Sequence, residues 1–192
     1  TKLTSITLPA SVTSIGNGAF SSMGSLSTVQ FPSTGRISIG DNAFSNDTAL
    51  ASLTTTSSNL LRTSGSEVTL PSCITSVGAN AFSSTNITNL KIDTGSNLTS
   101  VGTNAFGAVT TLTYNKNSAL PNDFFSAFNA LQTATLTGNN ITSLPGNFAN
   151  SLTTLNLQST GMTSIPNGEF ENKSHLSNVI FPTSGLTSIG DR

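Results

Sequence analysis

Tryptophan is absent from this 192-residue chain, cysteine, tyrosine and histidine occur once each, and only 8% of the side chains are charged. One cysteine rules out an internal disulfide, and with one histidine it cannot complete a Cys/His zinc site. Seven basic and eight acidic residues leave a net charge of -1, which excludes both the basic footprint of a nucleic-acid binder and a strongly acidic surface. No apolar run approaches the length that spans a membrane. With 35% hydrophobic residues, the composition is not that of a charged, disordered segment either.

Catalytic and ligand-binding motifs are scarce as well. Gly16-Asn-Gly18 lacks the third glycine of a phosphate-binding GxGxxG loop, and its glycine recurs in other parts of the chain as part of a corner. There is no GxSxG elbow, and the eight acidic residues are scattered, without the spacing of a calcium loop. His175 has Glu169 and Glu171 nearby but no second strong ligand, so solvated corner charges are expected there. No residues converge on a reacting centre, and the chain reads as non-enzymatic, with no cofactor and no metal.

What the chain does have is a repeat. All seven prolines fall in two slots, after a strand (Pro9, Pro32, Pro71, Pro182) or after an aliphatic corner (Pro121, Pro145, Pro166). Residues 3–20, LTSITLPASVTSIGNGAF, align with 26–44, LSTVQFPSTGRISIGDNAF, and with 176–190, LSNVIFPTSGLTSIG. Units begin at Leu3, Leu26, Leu50, Gly65, Ile87, Val109, Leu131, Leu152 and Leu176, about nine in all, at a spacing characteristic of solenoids.

Each unit has a physical reading. Ile6 and Leu8 alternate with Ser5 and Thr7, the period-two pattern of a strand with one buried face. Proline removes the next ladder donor and stops the strand. A corner such as Val12-Thr-Ser-Ile15 follows, then Gly16, where glycine allows a turn that a β-carbon would resist, then Ala19-Phe20. Phe20, Phe44, Phe82, Phe106, Phe125, Phe148 and Phe170 occupy the last slot and are expected to stack as a spine on the convex side. The apolar residues of one unit cannot offset its ordering entropy, so the units must stack, with parallel strands and right-handed crossovers.

Residues 131–148, LQTATLTGNNITSLPGNF, resemble an ordinary leucine-rich repeat, LxxLxLxxNxLxxLPxxxF, with Ala134 replacing one leucine, and 152–170 is similar. The units carrying Leu-Pro, Thr-Ser-Ile-Gly and Ala-Phe resemble the BspA-like class of leucine-rich repeat. That resemblance implies a leucine-rich-repeat solenoid over residues 1–192 as a single domain. It also implies one parallel β-sheet on the concave face, short strands, turns and 3-10 segments on the convex face, and a cell-surface or extracellular setting. Residues 50–64 lack the Ala-Phe corner, and a shortened unit with a local kink or loop is expected there. The final residues stop midway through a unit, so the chain reads as a piece of a longer protein. Cys73 lies three residues past Leu70, as Asn139 lies three past Leu136; in leucine-rich repeats this slot takes Asn or Cys and points inward, which makes Cys73 a buried structural thiol.

Function is then sought on the polar positions of the sheet face. The candidate binding residues are Thr7, Gln30, Thr54, Glu67, Thr69, Lys91, Thr113, Gln132, Thr135, Asn156 and Ile180. They form a neutral, hydroxyl-rich face with almost no aromatic anchors of the kind favoured at protein hot spots, and threonine is in any case a good solvent-facing strand residue. The resemblance implies adhesion to a host or matrix protein or to a glycan. The alternatives are a structural fibre or coat whose partner is a copy of the chain itself, and ice binding through regular threonine columns, which Gln30, Lys91, Asn156 and Ile180 interrupt. Five N-glycosylation sequons, at Asn46, Asn86, Asn97, Asn140 and Asn172, are about as many as chance supplies in so Asn-, Ser- and Thr-rich a chain.

Overall fold

The strand pattern, leucine to leucine, closes into a ladder. In the computed structural model, which describes residues 1–56, 67–146 and 148–191, nine short strands stack in parallel along one face among the described residues. Ser5–Thr7, Thr28–Phe31 and Ser52–Thr55 form one three-stranded ladder. Val68–Thr69, Asn89–Ile92, Thr111–Tyr114, Thr133–Gly138, Thr154–Thr160 and Asn178–Ile180 form a six-stranded one. Among the described residues the expected sheet is thus divided between Thr55 and Val68. The irregular unit foreseen at 50–64 starts on the last strand of the first ladder; its residues 57–64, and the unit start at Gly65, lie outside the described residues.

The aliphatic corners carry strands of their own. Ser14–Ile15, Ile37–Ile39, Ile74–Val77 and Ser100–Val101 pair in parallel, as do Ser164–Ile165 and Ser188–Ile189. Between these two groups the corner at 118–121 reads Ser-Ala-Leu-Pro, which lacks the β-branched residues that suit a strand. After this corner the chain forms a 3-10 turn, Phe124–Ala127.

The core lies between the two series of strands. Leu26, Val29, Phe31, Leu50, Leu90, Ile92, Leu112, Leu136, Leu155 and Leu157 are almost wholly inaccessible. Phe20, Phe44, Phe82 and Phe106 stack with neighbouring ring centroids 5.3, 5.2 and 5.4 Å apart and planes within 15°. The column then passes to Phe128, 5.7 Å from Phe106, and not to the expected Phe125. The dipeptide Ala127-Phe128 repeats Ala105-Phe106, and the Phe106 amide donates to the Ala127 carbonyl just as the Phe82 amide donates to Ala105. Phe125 belongs to a second, tilted series with Phe148, at 4.9 Å, and onward through Phe170. Phe124 joins the two series by contacts with Phe125 and Phe128.

The corner glycines serve close approach between rungs, not the turn expected of them. Gly40 and Gly78 have ordinary φ, but a β-carbon on Gly78 would stand 2.6 Å from the backbone of Gly40 and Asp41 in the preceding rung. At Gly16, in the first rung, nothing lies within 4 Å of the same position. Gly78→Ala should therefore cost about 1–3 kcal/mol as overpacking, whereas Gly16→Ala should be neutral or stabilising by up to about 1 kcal/mol. Urea unfolding of the two variants checks this, and equal losses would refute the packing argument. The left-handed turn that follows is occupied by Gly18, Asn42, Asn80, Asn104 and Gly168, with φ between 55° and 70°. Asparagine tolerates this region better than most residues.

Cys73 is buried and unpaired, and its carbonyl accepts the Ile37 amide at 2.7 Å. Burial pushes its thiol pKa up, away from the thiolate that reactivity requires. Asn139, expected to point inward in the same slot, is exposed. The strand Thr133–Gly138 runs on past Leu136, and the turn is held instead by Asn117. The Asn117 side-chain oxygen accepts the Asn140 amide at 3.1 Å, and its carbonyl accepts Asn140 Nδ2 at 3.0 Å.

Candidate functional site

Parallel pairing without offset turns one polar position per unit into a column. In register, Thr7 stands beside Gln30 and Gln30 beside Thr54. Past the break, Thr69, Lys91, Thr113, Thr135, Asn156 and Ile180 follow one another on successive strands. Nine of the eleven candidate residues therefore share one line along the sheet face. Glu67 and Gln132 sit in flanking lines, ahead of Val68 and Thr133. Glu67 reaches across two rungs, and its Oε2 accepts the Thr113 hydroxyl at 3.2 Å. At the other end the Thr7 hydroxyl donates to Gln30 Oε1 at 3.1 Å. Ile180, 38% exposed, is the apolar member of the column.

The hydroxyl-rich composition has two different causes. In the line at the strand entry, hydroxyls are spent on the scaffold. Ser27 Oγ donates to the Thr4 carbonyl at 3.0 Å, Thr153 Oγ1 to Gln132 at 2.9 Å and Ser177 Oγ to Thr153 at 3.2 Å. The corner repeats the device, with Thr99 Oγ1 on the Thr75 carbonyl at 2.9 Å and Thr187 Oγ1 on Thr163 at 3.0 Å. These side chains satisfy carbonyls of the neighbouring rung. The central column lacks this use: among the described residues, the hydroxyls of Thr69 and Thr135 have no hydrogen-bond partner within the chain.

Beside the break in the sheet lies a cavity of about 350 Å³ that the pattern of polar positions does not announce. Its walls are Thr54, Thr55, Thr69, Ser72, Ser96 and Asp93, and its floor is Leu53, Leu70 and Pro71. Two departures from the repeat produce it. Thr55 pairs with Phe31 and takes the slot that Phe31, Ile92, Tyr114 and Leu136 fill with large side chains. Asp93 takes the slot after the strand that is proline in Pro9, Pro32 and Pro71. Both are visible in the sequence, but only as faults in the pattern. The Asp93 carboxylate is held by the Thr94 amide at 2.9 Å and by Lys91 Nζ at 3.1 Å. These bonds, with a further one from Asn115, keep its pKa below the ordinary carboxylate value.

Other sequence candidates do not assemble. His175 is exposed, with its Nδ1 3.4 Å from Ser174 Oγ. Glu169 is partly buried, one of its oxygens has no partner, and burial raises its pKa despite the nearby Lys173. Among the described residues, no three His, Cys, Asp or Glu side chains are grouped to hold a metal ion. Lys116 turns away from solvent, donates to the Leu98 carbonyl, and has its pKa lowered by burial. Of the sequon asparagines, Asn97 donates to the Ser72 carbonyl at 2.8 Å, while Asn46 and Asn172 are exposed at left-handed turn positions.

The model of the BspA-type leucine-rich repeat region matches in six copies, over residues 1–113, 61–151 and 110–192. The chain belongs to the BspA-type leucine-rich repeat family. No curated protein matches it significantly. Among solved structures, this BspA-type chain is similar to a leucine-rich repeat protein of T. pallidum, at 18% identity and a TM-score of 0.40, over 99% of this chain and 74% of that one. It is also similar to one from Bacteroides ovatus, at 18% identity and a TM-score of 0.41, over 97% of this chain and 71% of that one. A leucine-rich cell surface protein from Faecalibacterium prausnitzii aligns at 18% identity and a TM-score of 0.27, over 100% and 88% of the two chains. Among the described residues of the BspA-type solenoid, no helix is long and apolar enough to cross a membrane.

Proposed function

We propose that this solenoid is an extracellular or cell-surface interaction module that binds a host or matrix protein, or a glycan, through its sheet face. The BspA-type repeat family is in general one of surface interaction modules. The observation that carries the reading is the in-register central column, Thr7 to Ile180, in which the hydroxyls of Thr69 and Thr135 have no partner among the described residues while the line beside it spends its hydroxyls on the scaffold. A rigid sheet holds these groups at the strand spacing of about 4.8 Å, which lowers the ordering cost of binding. A role in recognition fits this surface better than catalysis, because the special residues of the repeat serve packing.

The test replaces Glu67, Lys91 and Gln132 together by alanine and measures capture of the protein on immobilised extracellular-matrix proteins and oligosaccharides. Capture should fall at least ten-fold while the unfolding midpoint holds. Capture equal to that of the parent would eliminate the sheet face as the binding surface.

A further inference from the structure

We infer that the cavity at the break in the sheet is a binding site for a neutral saccharide residue. The inference rests on the reading of the sheet face as a binding surface and names the ligand class of one part of it. The volume, about 350 Å³, lies at the small end of ligand pockets, which run from about 300 to 1,000 Å³. The lining joins two features that a pyranose ring needs together. Leu53, Leu70 and Pro71 form an apolar floor against which the C–H face of a sugar can lie. Thr54, Thr69 and Asp93 stand around it with groups that exchange hydrogen bonds with ring hydroxyls.

Asp93 sets the charge preference. Its oxygens already accept bonds from the Thr94 amide, Lys91 Nζ and Asn115, which fixes the carboxylate in place. One lone pair remains, so that a sugar hydroxyl can donate to the carboxylate in a charge-assisted bond. The same carboxylate repels an acidic sugar, and Lys91, the cation beside it among the described residues, is already engaged with it. A neutral hexose therefore fits the chemistry, and a sialic or uronic acid does not. Thr69 supplies a hydroxyl with no partner in the chain among the described residues, aligned with Lys91 in the register of the face.

The experiment titrates the whole protein with the methyl glycosides of glucose, galactose, mannose and N-acetylglucosamine, and with the methyl glycoside of N-acetylneuraminic acid, following backbone amides by NMR. At least one neutral glycoside should shift the amides of Thr54, Thr69 and Thr94, and the acidic glycoside should shift none of them. Asp93→Asn, which keeps an acceptor for the Thr94 amide, should weaken binding at least ten-fold. Thr69→Val, nearly the same shape, should weaken it several-fold. Ser174→Ala, on the opposite side, should bind as the parent does. Spectra of the variants that match the parent outside the cavity keep a loss of binding separate from a loss of fold. Absence of binding by all four neutral glycosides, equal binding of the acidic one, or an unchanged affinity in Asp93→Asn would each overturn the site. If the glycosides fail while the triple replacement of Glu67, Lys91 and Gln132 still abolishes capture on matrix proteins, the saccharide inference falls and the sheet-face reading stands.

Discussion

Phe82→Ala should lower the free energy of unfolding by about 3–5 kcal/mol, the range for removing a fully enclosed aromatic ring. The Phe82 ring is 1% exposed and lies flat between Phe44 and Phe106, with centroids 5.2 and 5.4 Å away and interplanar angles of 8° and 3°. Both faces lose their contacts at once, and the walls cannot close in because each neighbouring ring is held by its own rung. In a solenoid each rung touches only the next, so the lesion also uncouples the rungs on either side. Urea denaturation should show the loss and a broader transition. Phe20→Ala is the comparison: Phe20 begins the column, has one stacked neighbour and is only half-buried, and its loss should be about half as large. A cost below about 1 kcal/mol for Phe82→Ala would mean that the column does not hold the stack together.

Stability should also fall as the pH is raised from about 4 to about 6, through one carboxyl group. Asp47 is fully inaccessible. Its Oδ1 accepts the Met23 amide at 2.6 Å, but Oδ2 has no partner. Desolvation raises its pKa to about 6 from 3.8, only partly opposed by the Met23 bond. Because the folded-state value lies above the unfolded one, the protonated form favours folding. The contribution is complete below about pH 4 and is lost as the pH rises through about 6, some 3 kcal/mol in total at about 1.4 kcal/mol for each unit of difference. Asp47→Asn keeps the acceptor for Met23 and removes the titration. The stability of the parent minus that of the variant, measured by urea unfolding at pH 3.5 and pH 7.5, should therefore differ by about 3 kcal/mol. Taking the difference cancels Glu169, whose pKa is also raised by burial, and Asp93, whose pKa is lowered and whose contribution is lost on acidification instead. A difference that does not change with pH would sink the assignment. Thr85 shows how the next rung avoids this cost: it is buried too, but its hydroxyl donates to the Phe82 carbonyl at 3.0 Å.

Much of this architecture was legible in single residues. Ile6 and Leu8 flanking Thr7, with Pro9 behind them, identify a strand and its end without reference to any other part of the chain. Repetition of that pattern then requires stacking, and stacking in register aligns Thr69, Lys91, Thr113 and Thr135. Where the reading went astray, two local patterns competed. Phe124-Phe125-Ser-Ala-Phe128 offers three rings for one slot, and the choice of Phe128 follows from which carbonyl the Phe106 amide reaches. Asn139 sits where the repeat places an inward asparagine, but extension of the strand to Gly138 moved it to the surface. The glycine corners were located correctly and explained wrongly, because the obstacle to a β-carbon lies a full rung away in sequence.

The sequence by itself determined the repeat, the strand and corner slots, the buried Cys73 and the polar column on the sheet face, since each depends on the chemistry of a residue and its near neighbours. Only the tertiary structure decided which hydroxyls the scaffold consumes, because the Thr153 and Ser177 partners are carbonyls more than twenty residues away. It alone turned two faults in the repeat, Thr55 and Asp93, into the walls of one cavity. Contacts between rungs are long-range in sequence and short-range in space, so a pattern within one unit specifies that units stack, while what lies between two stacked units depends on both.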